Sequence, residues 1–148
     1  MHVEPLPDLW RTPPTLGGQH VSLQPLQPAH VDGLRMALAG DELSRHWYTS
    51  VPRSGEVEVY VEAALALHAQ GRVMPFVALD AGGHVVGSTR FYALEAAIPT
   101  LSIGYTWYAP RVQRTGLNTE AKLLLLGHAF ETLGCISVSF ETSWFNHA

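Results

Sequence analysis

The sequence predicts an α+β domain, a mixed and mainly antiparallel sheet flanked by helices, in the order β-α-α-β-β-β-α-β. Two observations carry this. The hydrophobic period is helical over residues 28–71, strand-like over 73–107, helical again over 116–133 and strand-like over 136–141. Three consecutive strand patterns joined by short connections imply antiparallel neighbours, and the closing strand–helix–strand step implies a parallel pair. The 148 residues suit one domain, long enough to bury roughly 68–70% of the unfolded chain's surface.

Residues 1–18 are Pro-rich and aperiodic (Pro5, Pro7, Pro13, Pro14), and they read as an arm over the surface of a domain spanning 19–148. His20–Leu26 alternates with Val21 and Leu23 inward, a first strand. Pro28 suits the first helical position. Val31, Leu34 and Leu38 then keep helical spacing up to Gly40. Asp41–His46 reads as a helical turn and Trp47–Arg53 as a loop. Ser54 is the expected N-cap of a second helix, with Glu56 and Glu58 near its positive end. Val57, Tyr60, Val61, Ala64, Leu65 and His68 form its apolar stripe, and Gly71 closes it.

Val73–Leu79 and Val85–Tyr92 flank the hairpin turn Asp80-Ala81-Gly82-Gly83. Leu101, Ile103, Tyr105 and Trp107 alternate with small polar residues, a half-buried strand ended by Pro110. Gly116–Leu133 is a helix stopped at Gly134. Ile136, Val138 and Phe140 form the last strand.

Composition removes several function classes. Charged residues make up 15% of the chain, against a typical ~25%, and 47% is hydrophobic, so the chain folds. Nine Lys+Arg against 13 Asp+Glu give a net charge of −4, which argues against nucleic acid as a partner. No apolar run reaches the ~20 residues of a membrane span. A single cysteine, Cys135, excludes an intrachain disulfide and a Cys-cluster zinc site. With no secretory signal, the expected compartment is the cytoplasm.

The chemistry-bearing segment is Trp107–Ala121, a strand, a short loop and a helix. Arg111 and Arg114 lie in the loop, and Gly116 stands where the helix begins. A helix N-terminus offers unpaired N–H groups and partial positive charge, and glycine lets a phosphate come close to the backbone. The combination suits a pyrophosphate. The competing explanation is an ordinary helix start beside solvated arginines. Neither a Walker A motif nor a dinucleotide GxGxxG is present.

Gln113-Arg114-Thr115-Gly116-Leu117-Asn118 resembles the Q/R-x-x-G-x-G/A acetyl-CoA signature of the GNAT N-acetyltransferases, with Asn118 in place of the last Gly or Ala. Asn118-Thr119-Glu120-Ala121, Ile103-Gly104-Tyr105-Thr106-Trp107, Gly87-Ser88-Thr89-Arg90 and Ala129–Gly134 are similar to the RimJ/RimL-like branch. The resemblance runs from about Gly18 to Ala148.

The resemblance implies acetyl-CoA as cosubstrate and no metal. Its pyrophosphate would rest on the backbone of Arg114, Thr115, Gly116, Leu117, Asn118 and Thr119, beside Gln113. In this fold the strands before and after that helix splay apart at a bulge, and the pantetheine arm lies between them. Trp107, Tyr108 and Ala109 would pair with the arm, an N–H near Trp107 would polarise the thioester carbonyl, and Asn146 would bond the pantetheine. The acceptor would be a primary amine, on a protein N-terminus or a small molecule, attacking the thioester directly. The branch often carries a glutamate where this chain has Ser102, which has no useful basicity at neutral pH. Tyr105, Glu141, His46 or a water chain then remain as proton acceptors. The other histidines lack metal spacing such as HExxH, and Cys135 reads as packing rather than nucleophile.

The chain stops soon after Asn146, where the resemblance implies a further helix and closing strands, so it reads as truncated at its C-terminus. Leu123–Leu126 is apolar around the whole helix and calls for neighbours on every side. The last strand would leave an open edge. A second copy of the chain in a homodimer, or a swapped segment, would supply that cover. The alternative to an active enzyme is a catalytically silent CoA-binding or dimerisation module of the same fold.

Overall fold

The computed structural model describes residues 6–38, 52 and 54–140. Six strands form one sheet in sequence order: β1 (Leu16–Gly17), β2 (Val21–Pro25), β3 (Val73–Asp80), β4 (Val85–Glu95), β5 (Thr100–Tyr108) and β6 (Ser137–Phe140). Neighbours are antiparallel except β5 and β6, which run parallel, as a strand–helix–strand step requires. The helices are α1 (Val31–Ala37), α2 (Val57–Ala69) and α3 (Leu117–Gly127).

Adjacent residues of β4 show how the two faces of the sheet are used. Phe91 stacks against His128, just past α3, and meets Phe76 edge to face at 5.5 Å. Arg90 points the other way, against Tyr60 of α2. Central β3 is buried on both faces from Val73 to Ala78. The stripe expected on α2 is the one it buries, through Val57, Val61 and Ala64.

The structure corrects several sequence expectations. A sixth strand appears because Leu16 and Gly17, placed in the arm, pair with Leu23 and Ser22. The N-cap position of α2 falls on Glu56, since Ser54–Glu56 forms a 3-10 turn ahead of the helix. The helix predicted to reach Leu133 is α-helical only to Gly127. It then widens into a π turn over His128–Thr132, closed by Leu133 N–H on the His128 carbonyl. Leu123 is 63% exposed while Leu125 is buried, so one side of α3 is uncovered. The last strand begins at Ser137, after the exposed Ile136, and within it only Val138 is half-buried while Phe140 is exposed.

Among the described residues, no helix is long and apolar enough to cross a membrane, and no cluster could hold a metal ion. The Asp41–His46 turn, most of the following loop, Glu141 and Asn146 lie outside the described residues.

Candidate functional site

The site grows from the end of β5. Opposite the pairs Ser88–Trp107 and Arg90–Gly104, β5 carries one residue more than β4. That bulge puts Tyr105 at φ +54, and the Thr89 and Thr106 hydroxyls bond across it at 2.8 Å. A bulge bends its strand and re-aims side chains. Tyr105 is thereby lifted to 37% exposure, where it meets Tyr92 edge to face at 5.1 Å and covers the Arg90 guanidinium at 4.5 Å.

Beyond the bulge the two edges of β5 differ. Ala109 N–H donates to the Val86 carbonyl at 2.7 Å, and Trp107 stands opposite Ser88. Successive peptide groups alternate between edges outside a bulge, so that of Tyr108 faces away from β4. The Tyr108 carbonyl accepts Gln113 Nε2 there, at 3.0 Å. The Trp107 peptide is turned toward β4, and the Ala109 N–H has the Val86 carbonyl as its acceptor. β6 pairs with β5 only from Thr100 to Ile103 within the described residues.

The loop after β5 is held by its own backbone. Val112 N–H bonds Ala109 O, Gln113 N–H bonds Pro110 O, and Val112 is buried. Arg111 is tied to Asp80 of the β3–β4 hairpin at 2.9 Å. Burial would raise the Asp80 carboxyl, but the His84 N–H, the Arg111 guanidinium and the Gly82 N–H together hold it down to about 2. Arg111 is thus an anchor, whereas Arg114 is exposed at φ +64.

Thr115 closes the loop onto the helix, donating its hydroxyl to Val112 O and accepting Leu117 N–H at 3.3 Å. Gly116 is the N-cap of α3, at φ −71. A Cβ added there meets nothing within 4 Å. Neither its dihedral nor its packing requires glycine, so the space in front of the first helical turn is free for a ligand. Asn118 Oδ1 is buried with no partner among the described residues, and Thr119 is exposed. This donor-rich, open helix start fits a pyrophosphate.

Of the proposed proton acceptors, Tyr105 is exposed at the bulge of β5. Ser102 is half-buried in the sheet, between Tyr92 and Ser139. Cys135 is buried, which raises its thiol and leaves it a poor nucleophile. Sequence reasoning missed two residues. Glu120 pins α3 to the start of β2 through three backbone N–H groups. Arg90 is a buried charge facing Tyr60 and Tyr105. Its sequence signals are a charge within an otherwise uncharged strand pattern and its place in the Gly87-Ser88-Thr89-Arg90 resemblance, neither of which marks it for a role.

Residues 20–148 match the family model of the acetyltransferase (GNAT) domain. Among solved structures, the chain is similar to a candidate ribosomal-protein-serine acetyltransferase from Vibrio cholerae. The TM-score is 0.76 at 18% identity, over 89% of this chain and 75% of that one. An acetyl transferase from Salmonella typhimurium that modifies the N-terminal serine of ribosomal protein L7/L12 gives 0.74 at 17% identity, over 90% and 78%. A GCN5-related N-acetyltransferase from Brucella melitensis gives 0.71 at 24% identity, over 84% of this chain but only 57% of that one. The chain thus spans between 57% and 78% of these solved chains. No curated protein sequence matches the chain significantly.

Proposed function

The chain belongs to the GNAT acetyltransferase family, and on that premise we propose that it moves an acetyl group from acetyl-CoA to a primary amine by direct attack of the amine. The observation that carries this is the unfilled space at Gly116, where a helix N-terminus begins without any need of its own for glycine. Arg114 to Thr119 would cradle the pyrophosphate, and the backbone of Trp107, Tyr108 and Ala109 at the end of β5 would meet the pantetheine arm. When bound, acetyl-CoA supplies an acetyl thioester already activated toward amines. The chain's part is to fix that arm along β5, hold the amine beside it and take up its proton. We assign the last task to Tyr105, exposed at the bulge. A protein N-terminus is one acceptor in keeping with the Salmonella neighbour, and a small-molecule amine is the other. We place the protein in the cytoplasm, where a single thiol stays reduced.

Ser102, where the branch often has glutamate, favours a second reading, a CoA binder without turnover. Acetyl-CoA in excess should raise Tm for either, and an unchanged Tm would overturn both. Release of free thiol with a panel of amines and N-terminal peptides then separates them.

A further inference from the structure

Arg90 is 5% exposed. An arginine does not shed its proton in a protein, and a buried charge without a counterpart is expensive. Among the described residues, no carboxylate lies within salt-bridge distance of it. Its recorded contacts are aromatic: its guanidinium carbon is 4.5 Å from the centre of the Tyr105 ring and 5.6 Å from that of Tyr60. Ring faces favour the cation but give its five N–H donors no acceptor oxygen. The Tyr60 hydroxyl is itself buried with no partner among the described residues. The Arg90 guanidinium and the Tyr60 ring thus meet between α2 and the bulge of β5. Tyr105 reaches the surface beside them, at the bulge of β5.

We propose that Arg90 and Tyr60 bind a carboxylate of the acceptor, so that the acceptor is an amine with a carboxylate close to its amino group. This rests on the acetyltransferase reading above and names its substrate class. A carboxylate presents two coplanar oxygens that match the guanidinium fork, and its spare lone pairs accept a phenol. It comes from one of two sources, the α-carboxylate of a free amino acid or an acidic side chain at a peptide N-terminus.

The test uses product-like probes in the presence of CoA, followed by calorimetry. N-acetylglycine carries an α-carboxylate, the α-monoamide of N-acetylaspartate carries only its side-chain carboxylate, and N-acetylglycinamide carries none. At least one acid should bind the wild-type protein at least about 10-fold more tightly than the amide. Whichever acid binds identifies the source. Arg90→Gln should remove about 10- to 100-fold of that affinity and Tyr60→Phe about 3- to 10-fold, with the amide unaffected. Should Arg90→Gln not fold, Tyr60→Phe, which keeps its ring, carries the test. Equal binding of acids and amide to the wild type overturns the proposal. The acetyl-CoA Tm shift, read on the same samples, tells the two failures apart. If it persists while acids and amide bind alike, only the carboxylate site is wrong; if it is absent, the acetyltransferase reading fails.

Discussion

A Cβ on Gly18 would stand 2.3 Å from Oε1 of Glu120. The carboxylate occupies that space because it accepts the N–H groups of Gln19 at 3.0 Å, His20 at 2.7 Å and Val21 at 2.9 Å. Glu120 belongs to the first turn of α3, so the contact moors the helix that carries the proposed anion loop to the beginning of β2. The N–H of His20 foremost, against a smaller opposing effect of burial and aided by Val21 and Gln19, holds the Glu120 carboxyl below its ordinary value.

Gly18→Ala should expel the carboxylate, and Glu120→Gln should leave one oxygen to serve three donors. Both should lower Tm by several degrees at neutral pH. The sign of the pH effect follows from the lowered carboxyl. The stabilisation is complete above the unfolded value near 4.5 and disappears as pH falls through the lower folded value. Melting curves of wild type and Glu120→Gln should therefore converge in acid. A gap that stays constant down to pH ~2 would contradict the assignment.

Asp80 and Arg111 make a second acid-sensitive joint, between the β3–β4 hairpin and the same loop. Asp80 titrates at about 2 in the fold and 3.8 outside it, so its contribution is full above 3.8 and lost as pH falls through 2. Arg111 is 57% exposed, and screening limits the joint to about 1 kcal/mol. Asp80→Asn should therefore lower stability by about that much at neutral pH, with a smaller effect in high salt. Urea titrations at two ionic strengths check both statements.

His128 works in the opposite chemical sense. It is 9% exposed, stacks on Phe91 at 6.1 Å, and its Nε2 has no acceptor among the described residues. Burial lowers its tendency to protonate. The unfolded chain then binds the proton more readily, so stability is full above the unfolded value of 6.5 and declines as pH falls below it. His30 contributes with the same sign and the same cause. His128→Phe should flatten the loss of Tm below pH ~6.5 without removing it. An unchanged slope would place the effect elsewhere.

Most of the fold is legible in the sequence because period and punctuation agree. The Asp80–Gly83 turn, the Gly71 stop at φ +74 and the Gly134 stop at φ +71 mark where elements end. The loop proposed to hold an anion is legible because Gly116 follows Arg114 at the head of an apolar helix. What stays hidden depends on partners distant in the chain. Leu16–Gly17 is a strand only because β2 lies beside it, and two residues carry no period. The π turn at His128 has no local signature. Glu120 reads as an ordinary first-turn acid, yet its partners lie about a hundred positions earlier. The orientation of the Trp107 peptide depends on register with β4, which a one-residue bulge resets.

Two glycines beside the site separate what the chain needs from what a ligand needs. Gly87 stands opposite Tyr108, and a Cβ there would lie 2.2 Å from the Trp107 carbonyl oxygen and 3.0 Å from the Tyr108 Cα. Those are backbone atoms of the neighbouring strand and cannot swing aside as a side-chain end can. Gly87→Ala must then push β5 away from β4 and should cost about 2–4 kcal/mol, with loss of whatever binds along β5. Gly116 has an ordinary φ and an empty surrounding, so Gly116→Ala should change stability by less than about 1 kcal/mol. Its methyl group would nevertheless enter the space assigned to the pyrophosphate and shrink the acetyl-CoA Tm shift. Gly116→Glu adds bulk and negative charge and should abolish it. Denaturant unfolding and thermal shift on the three variants test the contrast. If Gly116→Ala and Gly116→Glu bind acetyl-CoA as the wild type does, the helix start at Gly116 is not the cradle. If Gly87→Ala is as stable as the wild type, the close approach of β4 and β5 does not hold the site together.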